Sequence, residues 1–210
     1  MAELTRYQDG HYAARYEVVV RRVASAEAER TAGLTGFATT VARNLFKLMA
    51  YKDEYEVARL YSEPQFRERL AAQFDNLGRI EVMLAPPLLA RRDSKTGQVR
   101  KMTFGPWIFP VLKRLARLKW LRGKAWDPFG WTEERRTERA LISDYETIVD
   151  ELASRLSPDN HTQAVAIAAV PEKIRGFGHV KVPAVAAARA EWQQRMSQFR
   201  TGRATAQAAE

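Results

Sequence analysis

At 210 residues, with 46% hydrophobic and 28% charged side chains, the chain is long enough to bury a core and too apolar for disorder to be the default. It has no cysteine, which excludes disulfides, thiolate nucleophiles and cysteine-held iron–sulfur or zinc centres. The polar start Met1-Ala2-Glu3-Leu4 lacks the basic-then-apolar layout of a signal peptide, and no run approaches the ~20 apolar residues of a membrane span. A cytoplasmic, soluble chain with no membrane partner is the expectation.

In chain order, Tyr12, Tyr16, Val19, Val20 and Val23 fall at helical spacing and predict a first helix from about Tyr7 to Arg30, with Gly33 as its stop. Thr35 is positioned to cap a second, longer helix carrying Phe37, Val41, Leu45, Leu48, Met49 and Tyr55, interrupted at Pro64. Phe66, Leu70 and Phe74, four residues apart, predict a short third helix from Gln65 to about Asn76.

The period then changes. Arg79-Ile80-Glu81-Val82-Met83-Leu84 alternates as a half-buried strand does, Val99 to Phe104 supplies a partner, and Asp93-Ser94-Lys95-Thr96-Gly97 has turn chemistry, so a β-hairpin is expected near 79–104. Gly105-Pro106 opens a helix with Ile108, Val111, Leu112, Leu115 and Leu118 on one face and Lys113, Arg114, Arg117 and Lys124 opposite. Lys119 breaks this separation, so the helix is expected to end between Leu118 and Gly123.

Thr132 followed by Glu133 and Glu134 starts the clearest helix, with Leu141, Tyr145, Ile148, Val149, Leu152 and Leu156 as its buried stripe. Ser157-Pro158-Asp159 begins a short helix ended by Pro171, and a last one is expected from about Pro183 to Phe199. The fold class is therefore mainly α: one helical domain over residues 1–199, of about six helices with a small inserted β-hairpin, and a flexible tail over 200–210.

The net charge of +9 is compatible with a nucleic acid, a membrane surface or an acidic protein as partner. Eleven basic residues stand against one acid between Arg91 and Lys124, and the rest of the chain nets −1. Candidate docking residues in this segment are Arg91, Arg92, Lys113, Arg114, Arg117 and Lys124; solvated charge is the commoner meaning of such a run. Trp107, Trp120, Trp126 and Trp131 lie in or beside it. Basic residues with aromatics also form the recipe for single-stranded nucleic acid, but aromatics bounded by Gly and Pro more often anchor a loop to a core, and the core-facing helical stripes match no nucleic-acid motif.

No catalytic apparatus is visible. His11, His161 and His179 share no metal-binding spacing, so each reads as an ordinary histidine, and no phosphate-loop, dinucleotide or nucleophile-elbow motif occurs. In Arg175-Gly176-Phe177-Gly178-His179-Val180-Lys181, two glycines let backbone amides approach an anion while Arg175, His179 and Lys181 supply charge around them. The alternative use of the same residues is a sharp interhelical turn with Phe177 plugging the core.

Five segments read together resemble a known family: the run from Leu45 through Tyr51-Lys52-Asp53-Glu54-Tyr55 to Tyr61, Leu84-Ala85-Pro86-Pro87-Leu88-Leu89-Ala90-Arg91-Arg92, Phe104-Gly105-Pro106-Trp107, Trp126-Asp127-Pro128-Phe129-Gly130, and Arg175 to Lys181. In that order they resemble the C-terminal region of the single-chain indolepyruvate ferredoxin oxidoreductases of proteobacteria, over about Leu4 to Phe199. The resemblance implies thiamine diphosphate, iron–sulfur clusters, oxidative decarboxylation of aryl 2-oxoacids to acyl-CoA, and ferredoxin as electron acceptor. It places all of these in other domains or subunits, since the family's Gly-Asp-Gly thiamine motif and cluster cysteines are missing here. What it implies for this chain is an assembly role, with ferredoxin or CoA docking at the basic residues. The alternative is a stand-alone basic interaction module for an acidic protein or nucleic acid.

Overall fold

A computed structural model describes residues 1–75, 78–85, 101–176 and 178–207. In chain order the helices are α1 (Ala2–Tyr7), α2 (Gly10–Arg30), α3 (Phe37–Met49), α4 (Glu54–Ser62), α5 (Pro64–Gln73), α6 (Ile108–Arg117), α7 (Glu133–Ser154), α8 (His161–Ala168) and α9 (Lys181–Gln207). Strands β1 (Val82–Leu84) and β2 (Met102–Phe104) lie between α5 and α6. The chain is thus mainly α with an inserted hairpin. Where the sequence pattern reads as one domain, the chain divides into two compact units, one of Met1–Ala50 with Arg136–Glu210 and one of Tyr51–Arg135.

Two helix starts follow side-chain caps that the apolar period does not register. The Asp9 carboxylate accepts the Tyr12 amide at 2.8 Å and starts α2, so the expected first helix is preceded by a separate α1. The expected long second helix is two helices, because Asp53 accepts the Glu56 amide at 2.8 Å and restarts the chain as α4 after a break at residues 50–53. Pro64 sits at the first position of α5, which ends at Gln73; Phe74 is extended, leaves the helical register and is exposed. After α6, a 3-10 turn over Leu118–Leu121 and a left-handed Gly123 end the helix in the expected place. Helix α9 continues past Phe199 to Gln207.

In the unit formed by the two chain ends, Phe37, Val41, Leu45 and Met49 of α3 are buried, as are Leu141, Tyr145, Val149 and Leu152 of α7. On α9, Val185, Ala188, Trp192, Met196 and Phe199 recur every three or four residues and are buried too. Tyr145 and Trp192 lie against each other at 5.9 Å and donate to consecutive carbonyls near the end of α8, the Tyr145 hydroxyl to Ala168 at 2.9 Å and the Trp192 indole to Ile167 at 3.2 Å. Burial raises the Tyr145 pKa well above the ordinary tyrosine value.

The N-terminus of α3 is not capped by Thr35. Its N-cap is Gly36, and the acceptors come from α2, where the buried Glu27 carboxylate takes the Phe37 and Ala38 amides at 2.7 and 3.0 Å. His161 Nε2, at the start of α8, lies 2.8 Å from the same carboxylate. Burial alone would raise the Glu27 pKa, but His161 and the two amides more than offset it and hold it below the ordinary carboxylate range. A lowered acid contributes stability that is complete at pH 7 and is lost as pH falls from the usual glutamate value of ~4.3 toward the lower folded one. Glu27→Gln should therefore cost about 1.5–3 kcal/mol at pH 7, the range for hydrogen bonds to a charged group. It should also flatten the acid-side loss of stability, measured by urea unfolding between pH 7 and 3.

In the unit of residues 51–135, β1 and β2 pair antiparallel with Val82 opposite Phe104 and Met83 opposite Thr103. Val82 and Phe104 turn inward onto Ala58, Ile108, Phe109 and Leu112, while Met83 faces out, as alternation requires. The expected turn over Asp93 to Gly97 lies outside the described residues. No helix among the described residues is long and apolar enough to cross a membrane.

Candidate functional site

The segment from Tyr51 to Glu56 is held by a network of buried charges within the unit of residues 51–135. Asp53 caps α4 and also forms a buried ion pair with Arg122, whose Nη2 is 2.8 Å from Asp53 Oδ1. The Arg122 guanidinium lies over the Tyr55 ring at 5.6 Å. The Tyr55 hydroxyl donates to Asp127 Oδ1 at 3.0 Å, and the Phe129 ring meets Tyr55 edge-on at 5.3 Å.

Asp127 is itself buried and accepts the Gly123 amide at 2.9 Å and the Phe129 amide at 3.1 Å, which closes the loop that carries it. Gly130 packs so closely on this carboxylate that a Cβ there would come within 2.5 Å of Oδ2. Burial, then the hydrogen bond and charge of Asp127, raise the Tyr55 pKa far above the ordinary tyrosine value, so the phenol stays protonated.

Next to this network, Glu54 and Arg135 approach to 3.3 Å, and Arg135 lies 5.8 Å from the Tyr51 ring centre. Burial raises the Glu54 pKa against the opposing charge of Arg135, and its Oε2 has no hydrogen-bond partner among the described residues. Arg59 completes the set, bridging Glu56 and Glu63 along α4. The motif residues Tyr51, Asp53, Glu54, Tyr55, Asp127, Phe129 and Gly130 are therefore a structural clamp. They close α4 onto the loop after α6.

The basic segment resolves into different kinds of residue. Lys113, Arg114 and Arg117 are exposed on α6, and Lys124 is exposed after Gly123 with its ammonium 4.9 Å from the Trp120 ring centre. None of the four forms an ion pair among the described residues. Arg122 belongs instead to the buried clamp and drops out of the surface patch. Arg91 and Arg92 lie outside the described residues.

The tryptophans overturn the expectation that they anchor loops. Trp107, Trp120, Trp126 and Trp131 are 62, 54, 82 and 67% exposed, and the side chain that holds the loop is Phe129. Val111 of α6 and Leu118 just after it, both expected inside, are 46 and 41% exposed, and Phe109 takes an inward place that the pattern did not assign. The apolar side of the helix is wider than the core it meets, so its margin at Val111 stays exposed.

The second candidate segment lies in the unit formed by the chain ends. Gly176 has φ +96° and Gly178 φ +56°, and a Cβ at Gly176 would stand 2.9 Å from Val180 Cγ1, so the turn needs glycine there. Arg175 is exposed, with a long 3.4 Å hydrogen bond from Nε to the Glu172 carbonyl. Lys181 is half-buried and donates to both Glu138 oxygens at 2.7 and 2.8 Å, so its charge is matched. His179 is described in its backbone alone, and Phe177 lies outside the described residues.

Lys47, which has no motif around it in the sequence, joins this group. It donates to the Pro171 and Glu172 carbonyls at 2.8 and 3.2 Å, and burial followed by the charges of Arg175 and Lys181 lowers its pKa. Its partners lie 124 and 125 residues along the chain, so no local signal could have found it.

Among the described residues no group of three or more His, Asp or Glu side chains is placed to hold a metal ion. With no cysteine in the sequence, the donor set does not fit an iron–sulfur cluster. The profile of a family of unknown function, DUF6537, matches residues 1–194. No curated protein and no solved structure matches the chain.

Proposed function

We propose that this chain, which belongs to the DUF6537 family of unknown function, is a non-catalytic assembly and docking domain of an indolepyruvate-type 2-oxoacid:ferredoxin oxidoreductase. In this reading the oxidation of aryl 2-oxoacids to acyl-CoA, the thiamine diphosphate and the iron–sulfur clusters belong to other domains or subunits, in the cytoplasm. This chain supplies structure and a contact surface, with ferredoxin, or the phosphates of CoA, as the acidic species it attracts.

The observation that carries the reading is where the resemblance motifs sit. Tyr51 to Tyr55 and Asp127 to Gly130, the most distinctive residues of the likeness, are spent on a buried clamp rather than on an open site. That is the expected use of motifs in a domain whose fold matters and whose chemistry lies elsewhere. Beside the clamp, Lys113, Arg114, Arg117 and Lys124 stand exposed and without ion pairs among the described residues, which supports docking of an acidic partner.

A second reading, a stand-alone basic interaction module, is favoured by the four exposed tryptophans alongside those cations. Purifying the chain from its native cells and assaying thiamine and iron in the isolate separates the two readings.

A further inference from the structure

The apolar side of helix α6 is wider than the core it meets. Its inner residues Ile108, Phe109 and Leu112 are buried with Val82 and Phe104. At one margin of that side Val111, with Trp107 and Leu118 at the two ends of the helix, is exposed, all three by more than 40%. The core leaves this margin open to solvent.

Single exposed apolar residues are common, but this stripe is followed by Trp120, Trp126 and Trp131, each more than half exposed. Tryptophan and arginine are the residues most enriched where protein surfaces meet. Charge completes the description: over residues 101–131 the one acid is Asp127, which is buried in the clamp, while Lys101, Lys113, Arg114, Arg117 and Lys124 are exposed. A complementary occupant must carry carboxylates around an apolar centre.

We propose that the outer face of α6, with the tryptophan-bearing segment after it, is a docking surface for an acidic protein. Trp107, Val111 and Leu118 bury against an apolar patch on that protein, and Lys113, Arg114 and Arg117 meet its carboxylates. A nucleic acid has no use for the aliphatic Val111 and Leu118, because single-strand binding relies on ring stacking and backbone charge. An anionic membrane would take the centre of the helix's apolar side, which Ile108, Phe109 and Leu112 already commit to the core. The proposal rests on the docking reading above for the identity of its probe, and adds to it an apolar contact that charge alone does not call for.

The test is calorimetric titration of the full 210-residue chain with an acidic ferredoxin at two temperatures and two salt concentrations, with oligo(dT) and phosphatidylglycerol vesicles as competing probes. Ferredoxin binding should weaken with salt yet persist, with a negative heat-capacity change that reports apolar burial. Trp107→Ala with Leu118→Ala should weaken it by about tenfold or more, as loss of an interface hot spot does, and shrink the heat-capacity change. Trp126→Ala, at an 82% exposed position where misfolding is not a concern, should act in the same direction.

Ferredoxin binding that salt abolishes, with no heat-capacity change and no effect of either variant, would overturn the proposal while leaving charge-driven docking intact. No ferredoxin binding at any salt would overturn both. Tighter binding of oligo(dT) or vesicles than of ferredoxin would assign the face to another class of partner and overturn the proposal.

Discussion

Replacing Asp53 by alanine should lower the unfolding free energy of the unit of residues 51–135 by about 3–5 kcal/mol, the cost of breaking a buried ion pair from one side. Asp53 holds two things at once. Its carboxylate caps α4 through the Glu56 amide, a contact worth about 1 kcal/mol by itself, and it neutralises Arg122, whose guanidinium is buried on the Tyr55 ring. Without Asp53 the buried Arg122 loses the carboxylate that its Nε and Nη2 both reach, which is the larger part of the loss.

The pair need not stabilise relative to an apolar one, so replacing both members by residues of similar volume should recover much of the deficit. Arg15→Ala is the control. It breaks a bidentate pair with Glu146 at a partly exposed position, and should cost no more than about 1 kcal/mol. Hydrogen exchange read by mass spectrometry on peptides covering Glu54–Ser62 and Ile108–Arg117 measures the effect where it arises.

On the proposed function, reversing Lys113, Arg114 and Arg117 together to glutamate should raise the KM for ferredoxin of the assembled enzyme by about 10- to 1000-fold at low ionic strength, the range over which electrostatic steering changes association. The substitutions change the local charge by six units on an exposed helix face and remove no buried contact, so folding should be unaffected. The salt dependence should flatten or invert, because ions no longer screen an attraction. Turnover with a small uncharged electron acceptor should stay unchanged. Unaltered ferredoxin kinetics at low salt would remove the basic face from electron-acceptor docking.

What the sequence could reveal divides along the distance over which each feature is decided. The stripes of α3 and α7 and the in–out alternation of Val82 and Met83 rest on neighbours within a few residues, and periodicity reads them directly. The break between α3 and α4 does not. Tyr51 and Tyr55 continue an apolar period across it, and what stops the helix is a cap at Asp53 held by Arg122, 69 residues away.

The same holds for the surface. Arg122 looks like one more cation in a basic run until its partner is seen, and Lys181 looks free for an anion until Glu138 is placed beside it. The Trp-Asp-Pro-Phe-Gly segment reads as an anchored loop, and it is one, but the anchors are Asp127 and Phe129 rather than the tryptophans. A sequence shows that aromatics are present near a turn; which of them turns inward depends on the core they meet. Lys47 and the Glu27–His161 contact depend on distant segments and leave no local pattern.

The central claim is that this chain works within a thiamine- and cluster-dependent oxidoreductase without holding either group. It is tested most directly by isolating the chain under native conditions from its own cells and measuring thiamine diphosphate and iron per mole of chain. The account predicts an isolate that contains both, carried on other domains of the same polypeptide or on tightly bound subunits, and retained through gel filtration. A chain recovered alone, as a particle of about its own 23.9 kDa mass with neither thiamine nor iron, would contradict it.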